Sequence, residues 1–461
     1  MMKTTGSPDL VERLLHELGP GAVLTGEDVA ARSCDPFMHV PPRSTALLRP
    51  RSTAEVSSIL EQCHRAGQSI VVHGGCTGVA GGALADESEL VLSLERMNHI
   101  IEIDPLGATM TVEAGVPIEE VQRAAAAHDL FYPVDLGSKG SATVGGTIAT
   151  NAGGNRVIRW GMTRQNVLGL EVVLADGTIL DLQNHFLKNN TGYDLKHLFI
   201  GSEGTLGIVC KAVLRLVPLP TTQHVALLSL GSFADVLELL GRARALQQLS
   251  AFEVMWQDYY AIVSQDPTRR IVAPDAAFYV LIEAMGYDEA GDASAFSALL
   301  EPALEDGLLI DAVPAGSARQ VEDIWRVREG SEMLVREMWP FISFDVSVDI
   351  RTADPFVTAV RAALGETFGV YRSVAFGHLG DSNIHIGVHI GPDTRRRERE
   401  VEQCVYDVLQ EFGGALTAEH GIGTAKRDFL PQHVSPAALR TMRQVRQALD
   451  ADRLINGNVL F

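Results

Sequence analysis

Four residues in the last quarter of the chain have side chains able to hold a metal ion and move a proton. His378 and His385 stand seven positions apart in GHLGDSNIH, and Glu419 and His420 are adjacent in TAEHG. Neutral imidazoles with a carboxylate suit a divalent first-row ion such as zinc or manganese, and three protein ligands leave positions open for a reacting molecule. On residue types alone, the set reads equally well as histidines satisfied inside a core. His389 lies ~13 Å along a strand from His385, too far to share an ion with it. Asp381 reads as a turn residue. A further feature is IWRVREGSE, with Trp325, Arg326, Arg328 and Glu329 in a helical pattern. A guanidinium fork suits a carboxylate, although a solvated helix face accounts for the same residues.

Two glycine-rich loops offer backbone in place of side chains. Gly74, Gly75, Thr77 and Gly78 follow a strand pattern, and their consecutive N–H groups can form an anion nest able to take a diphosphate without a lysine. In the second loop, Gly145, Gly146, Gly153 and Gly154 surround Thr150 and Asn151. Small residues there would let a flat ring lie against backbone, with the Thr and Asn side chains pairing its polar edge. Neither G-x-G-x-x-G nor a Walker A motif is present, which argues against a Rossmann or P-loop cofactor site.

The elements that must position these residues follow from periodicity. Residues 8–18 are helical, with Ser7 as N-cap and Pro8 in the first turn. Ser52 and Glu55 form a capping box before a helix that ends at Gly67. A strand at 70–72 runs into the first glycine loop, and Asp176-Gly177 marks a hairpin. Pro218 to Pro220 mark a boundary. Beyond it, 278–285 is a buried strand, 318–338 a long helix, 343–350 an alternating strand, and 376–390 a strand–turn–strand. This half reads as helices on one side of an antiparallel sheet.

Composition narrows the function. Of 461 residues, 46% are apolar and 21% charged, with 58 acidic against 38 basic and a net charge of −20. Such a field repels nucleic acid and anionic lipid, and an anionic substrate would need a local cation. No stretch is long and apolar enough for a membrane span, and the first twenty residues have no signal-peptide core. Five scattered cysteines without a CxxC pair read as reduced thiols of a cytoplasmic protein.

In their order along the chain, GGCTGVAGG, PVDLGSKGSATVGGTIATNAGG, NNTGYDLKHLFIGSEGTLGIV, GHLGDSNIH and TAEHGIGTAKRDFL resemble FAD-linked oxidoreductases of the vanillyl-alcohol oxidase type. The branch is that of D-lactate, glycolate and D-2-hydroxyglutarate dehydrogenases, the last being nearest. The resemblance implies an α+β protein. Residues 1–220 would form a PCMH-type FAD-binding domain of two subdomains (about 41–220 after a helical segment), 221–425 an α+β cap with an antiparallel sheet, and 426–461 a return to the first domain. It implies FAD at Gly74, Gly75, Thr77, Gly78, Pro133, Asp135, Gly137, Ser141, Gly145, Gly146, Thr150, Asn151 and Ile208. Cys76-Thr77 stands where some relatives carry a flavin-linking histidine, so the FAD would be noncovalent. His378, His385 and Glu419 match the family's ligands for zinc or manganese, His420 its base, and Arg328 a substrate-carboxylate contact.

The implied reaction is oxidation of a D-2-hydroxy acid to the 2-oxo acid, with hydride passing to flavin N5. Alternatives are non-hydride chemistry on the same fold, as in ether-lipid synthases, and a non-catalytic flavoprotein subunit. No motif names the acceptor, whether oxygen, a quinone, an electron-transfer flavoprotein or a dye, and a homodimer is left open. Ser343 replaces a usual lysine, Gly387 an asparagine, Asp349 a proline, and Asn456-Gly457-Asn458-Val459 a usual Asn-Pro-Gly-Lys. These departures imply a substrate other than D-2-hydroxyglutarate, with a less anionic or bulkier tail.

Overall fold

A computed structural model describes residues 8–461; the expected cap Ser7 lies outside them. The chain divides into two compact units. The first comprises the described residues up to Gly154, together with Gly161–Leu219 and Glu419–Phe461; the second comprises Asn155–Trp160 and Pro220–Ala418. The division expected after 220 falls after Leu219. The return expected at 426 comes at Glu419, because the Glu203 carboxylate accepts from the N–H groups of Ile422 and Gly423 (2.8 and 2.7 Å). The short excursion of Asn155–Trp160 has a similar cause. Arg156 pairs with buried Glu283 at 2.9 Å, and Arg159 donates to the Gln248 carbonyl at 2.9 Å.

In the first unit, Ser52 Oγ accepts from Glu55 N–H and opens the helix Thr53–Ala66, which buries Val56, Ile59, Leu60 and Cys63 and stops at left-handed Gly67. This helix accompanies a mixed four-stranded sheet in the order Val23–Thr25, Ala46–Leu48, Leu90–Ser93, Ile70–His73. A five-stranded antiparallel sheet follows: Ile100–Asp104, Thr109–Glu113, Ile208–Arg215, Val167–Val173, Ile179–Leu182. Leu48, Ile70 and Leu92 of the first sheet share one apolar core with Val112, Leu170 and Ala212 of the second.

The second unit is built on a seven-stranded antiparallel sheet. Its order is Asp311–Pro314, Thr222–Leu230, Phe278–Gly286, Leu249–Trp256, Arg372–Gly377, Asn383–His389, Ile342–Ser347. Helices were expected on one side only, but they cover both. Every residue of Phe278–Gly286 is buried, so both faces need partners. Tyr279 and Leu281 pack with Ile324, Val327 and Met333, whereas Phe278 of the opposite face meets Phe233, with ring centroids 5.6 Å apart. The long helix expected over 318–338 is two, Ala318–Arg328 and Ser331–Met338. Tyr259 donates its hydroxyl to the Arg328 carbonyl at 2.7 Å, taking an acceptor that a continuing helix would use. Among the described residues, no helix is long and apolar enough to cross a membrane.

Candidate active site

In the first unit, the strand Ile70–His73 delivers the loop Gly74–Gly78. A Cβ on Gly75 would overlap the Ser141 carbonyl, so the two glycine loops lie back to back only because the residue is glycine. Thr143 caps the helix Val144–Thr150 by accepting from Gly146 N–H. Together these loops wall a cavity of about 330 Å³, within the range of small-molecule sites.

Of the residues expected at FAD, Gly74, Gly75, Thr77, Gly78, Gly137, Gly145, Gly146, Thr150 and Ile208 line this cavity. Pro133, Asp135, Ser141 and Asn151 are not among its walls. Asp135 pairs with Lys139 at 2.9 Å. Asn151, expected to offer its amide to a ring edge, uses its oxygen to accept from Arg164 N–H at 2.9 Å, a contact that fixes the turn. Thr150 donates to the Gly146 carbonyl at 3.1 Å.

Glu419 and His420 line the same cavity, and Gly154 N–H donates to Glu419 Oε1 at 2.7 Å. Glu203, which sequence reasoning missed, also lines it. This residue sits at φ 52° between glycines. Besides holding Ile422 and Gly423, its carbonyl accepts from Asn456 Nδ2 at 2.8 Å, and Asn456 Oδ1 accepts from Val72 N–H at 2.9 Å. Burial pushes the Glu203 carboxyl up, against the pull of the two N–H groups and Lys426. An acid between two glycines was the available signal. Burial likewise pushes the Cys76 thiol up to about 12.

In the second unit, register gathers the candidates. Asp345 and Phe376 both lie opposite His385, and His378 begins the turn after Gly377. A Cβ on Gly377 would overlap the Asn383 carbonyl, which ties this tight hairpin to glycine. The rings of His378 and His385 stand 5.4 Å apart, nearly perpendicular. His378 Nδ1 is 2.9 Å from Glu253 Oε1, and Arg328 Nε donates to Glu253 Oε2 at 2.8 Å. Arg328 also lies over the Phe376 ring at 4.9 Å. It is buried, not on a solvated helix face. Burial disfavours the Glu253 charge, but His378 and Arg328 outweigh it and hold the carboxyl below its usual range. Asp345 is fully buried; it accepts from Asn383 Nδ2 (2.7 Å), Thr417 Oγ1 (2.9 Å) and Ala418 N–H (3.1 Å). Asp381 lies in the turn Leu379–Asp381, and His389 pairs with the Pro340 carbonyl at 2.7 Å.

The FAD binding domain model matches residues 44–183, and the model for the C-terminal domain of FAD linked oxidases matches residues 219–459. The chain belongs to the FAD-linked oxidases. This FAD-linked oxidase is 39% identical to D-2-hydroxyglutarate dehydrogenase of Xanthomonas citri pv. viticola, over 91% of the chain and 90% of the relative. It is 37% identical to the mitochondrial D-2-hydroxyglutarate dehydrogenase of Bos taurus, over 96% of the chain and 81% of the relative. Among solved structures, p-cresol methylhydroxylase with substrate bound aligns at a TM-score of 0.77 and 17% identity, covering 97% of this chain and 95% of that one. An alkyldihydroxyacetonephosphate synthase aligns at 0.74 and 16%, covering 97% and 84%. At such identities the structural likeness establishes the fold, which is the PCMH-type FAD-binding fold. Family, fold and the class of flavin-linked oxidoreductase are as the motifs implied.

Proposed function

We propose that this FAD-linked oxidase converts a D-2-hydroxy acid to the 2-oxo acid. The observation that carries the reading is the position of His420 on the wall of the glycine-loop cavity, where a proton acceptor and a flavin would share one space. Noncovalent FAD would lie against Gly74, Gly75, Thr77 and Gly78; a thiol as weakly acidic as Cys76 is a poor nucleophile toward it. Bound there, FAD supplies a hydride acceptor at N5. A zinc or manganese ion on His378, His385 and Glu419 would supply Lewis-acid polarisation of the substrate oxygen.

His420 takes the hydroxyl proton as general base. Arg328 orients the carboxylate with its Nη1 end, Nε being engaged by Glu253 and Nη2 facing His378. As the C2 hydride leaves, the hydroxyl oxygen becomes the carbonyl of the 2-oxo acid, so protons and electrons balance. Reoxidation falls to an acceptor outside the chain, whether oxygen, a quinone or an electron-transfer flavoprotein. The five free thiols suit the reducing cytoplasm.

The relatives' names put D-2-hydroxyglutarate first among substrates. One observation favours a less anionic acid. On the face that carries Asp345 and His385, the next cross-strand pair is Ser343 and Gly387, with Val374 opposite Gly387. A Cβ on Gly387 would lie 3.1 Å from Val374. None of these three residues offers a cation to a second carboxylate.

Anaerobic mixing with D- and L-2-hydroxy acids, with and without chelator, tests the reading. Flavin bleaching by D acids, lost with chelator and in His420→Ala, is expected. A flavin that stays oxidised with every acid would favour non-hydride chemistry. Fastest bleaching by D-2-hydroxyglutarate would remove the argument from Ser343 and Gly387.

A further inference from the structure

Glu253 is wholly buried in the middle of the second unit's sheet, with no role in the reaction as written above. A buried carboxylate is costly unless its charge is matched and its oxygens are bonded. Both conditions hold here. One oxygen faces His378 Nδ1 at 2.9 Å, and the other accepts from Arg328 Nε at 2.8 Å. Arg328 Nη2 in turn stands 3.5 Å from His378 Nε2. These contacts fix the protons. A carboxylate only accepts, so Nδ1 carries the hydrogen. A guanidinium only donates, so Nε2 presents its lone pair to Arg328 while no cation is bound, and a cation on Nε2 would take the place of that 3.5 Å contact.

We infer that Glu253 is the positioning residue that locks His378 in the Nδ1–H tautomer and turns its Nε2 lone pair toward a cation. The inference rests on the metal reading proposed above. A carboxylate behind a ligating imidazole is the arrangement by which proteins orient such rings and raise their basicity. Arg328 is held by the same carboxylate, so one buried acid sets both the imidazole and the substrate-facing guanidinium. Asp345 cannot do this for His385. Its nearest oxygen is 3.8 Å from His385 Nδ1, beyond hydrogen-bond distance. Both oxygens also serve other donors, Asn383 on one side and Thr417 and Ala418 on the other. The two carboxylates therefore divide the work: Glu253 orients a ring, and Asp345 anchors the chain.

The experiment uses the full chain loaded with FAD and labelled with nitrogen-15 at histidine. In chelator-treated wild type, the long-range proton–nitrogen spectrum should show His378, assigned through His378→Gln, as the Nδ1–H tautomer. An Nε2–H tautomer or an imidazolium at neutral pH would overturn the inference, and this measurement needs no Glu253 variant to fold. Zinc affinity, measured by competition with a chromogenic chelator, should fall about 10–100-fold in Glu253→Gln, with flavin content unchanged. Wild-type zinc affinity in that variant would also overturn it. If wild type takes up no zinc, the metal reading fails by itself, and the tautomer spectrum still decides the role of Glu253.

Discussion

The flavin-side loops of the first unit and the histidine hairpin of the second are built on opposite principles. The loops work by omission. Gly75 has no side chain, because one would strike the Ser141 carbonyl, and the proposed binding falls to backbone N–H groups. The hairpin works by addition. Imidazole, guanidinium and carboxylate are drawn from distant segments and buried together, Glu253 lying 125 positions from His378 and 75 from Arg328. Such a backbone site tolerates many neighbours but no Cβ. A buried side-chain site tolerates no unmatched charge. The two should therefore fail differently.

The largest contrast is expected from Gly75→Ala. Overlap with a carbonyl places the cost at or above ~3 kcal/mol, the upper end for overpacking. The protein should purify without flavin or fail to fold, as absorbance and thermal unfolding would report. Retained flavin at wild-type stability would break the account of the loops. His420→Ala should keep its flavin and slow flavin reduction by about 10²–10⁴-fold in stopped flow. Glu253→Gln leaves the Arg328 charge buried without its partner, and should lose about 3–5 kcal/mol in chemical denaturation. If it unfolds like wild type, the hairpin does not depend on charge matching.

A smaller effect is expected from Ser343→Lys, which adds a cation beside Gly387. Relative kcat/KM should move about tenfold (~1.4 kcal/mol) toward D-2-hydroxyglutarate over a monocarboxylate. The smallest concerns pH. Glu203 has a folded pKa above its ordinary 4.5, so the folded state holds its proton more tightly than the unfolded one. Its carboxyl therefore costs nothing at low pH. It destabilises progressively as pH rises from about 4.5 through the folded value. Relative to Glu203→Gln, wild-type stability should decline across that window, and parallel urea curves at several pH values would expose it.

How far the sequence could be read differs in the same way between the two regions. Gly74 and Gly75 could be picked out because a backbone requirement is written directly as a residue type. His378 and His385 could be picked out from their spacing across a short turn. The partner that fixes Asn151 could not be read, since the Arg164 N–H from which its oxygen accepts belongs to a neighbouring turn. The apparent helix over 318–338 hid a break, because the hydroxyl that takes the Arg328 carbonyl belongs to Tyr259, far back in the chain. Glu253 and Glu203 left little trace, being ordinary acids inside apolar or glycine-rich stretches.

The sequence by itself determined the family and the cofactor class, and it offered the two glycine loops and the residues proposed for proton and metal chemistry. Those follow from local geometry and residue chemistry. Only the tertiary structure decided which acids are buried, which oxygen faces which nitrogen, and that helices close both faces of the second sheet. Burial and charge matching depend on which strand lies beside which, and cross-strand register is a property of the folded chain.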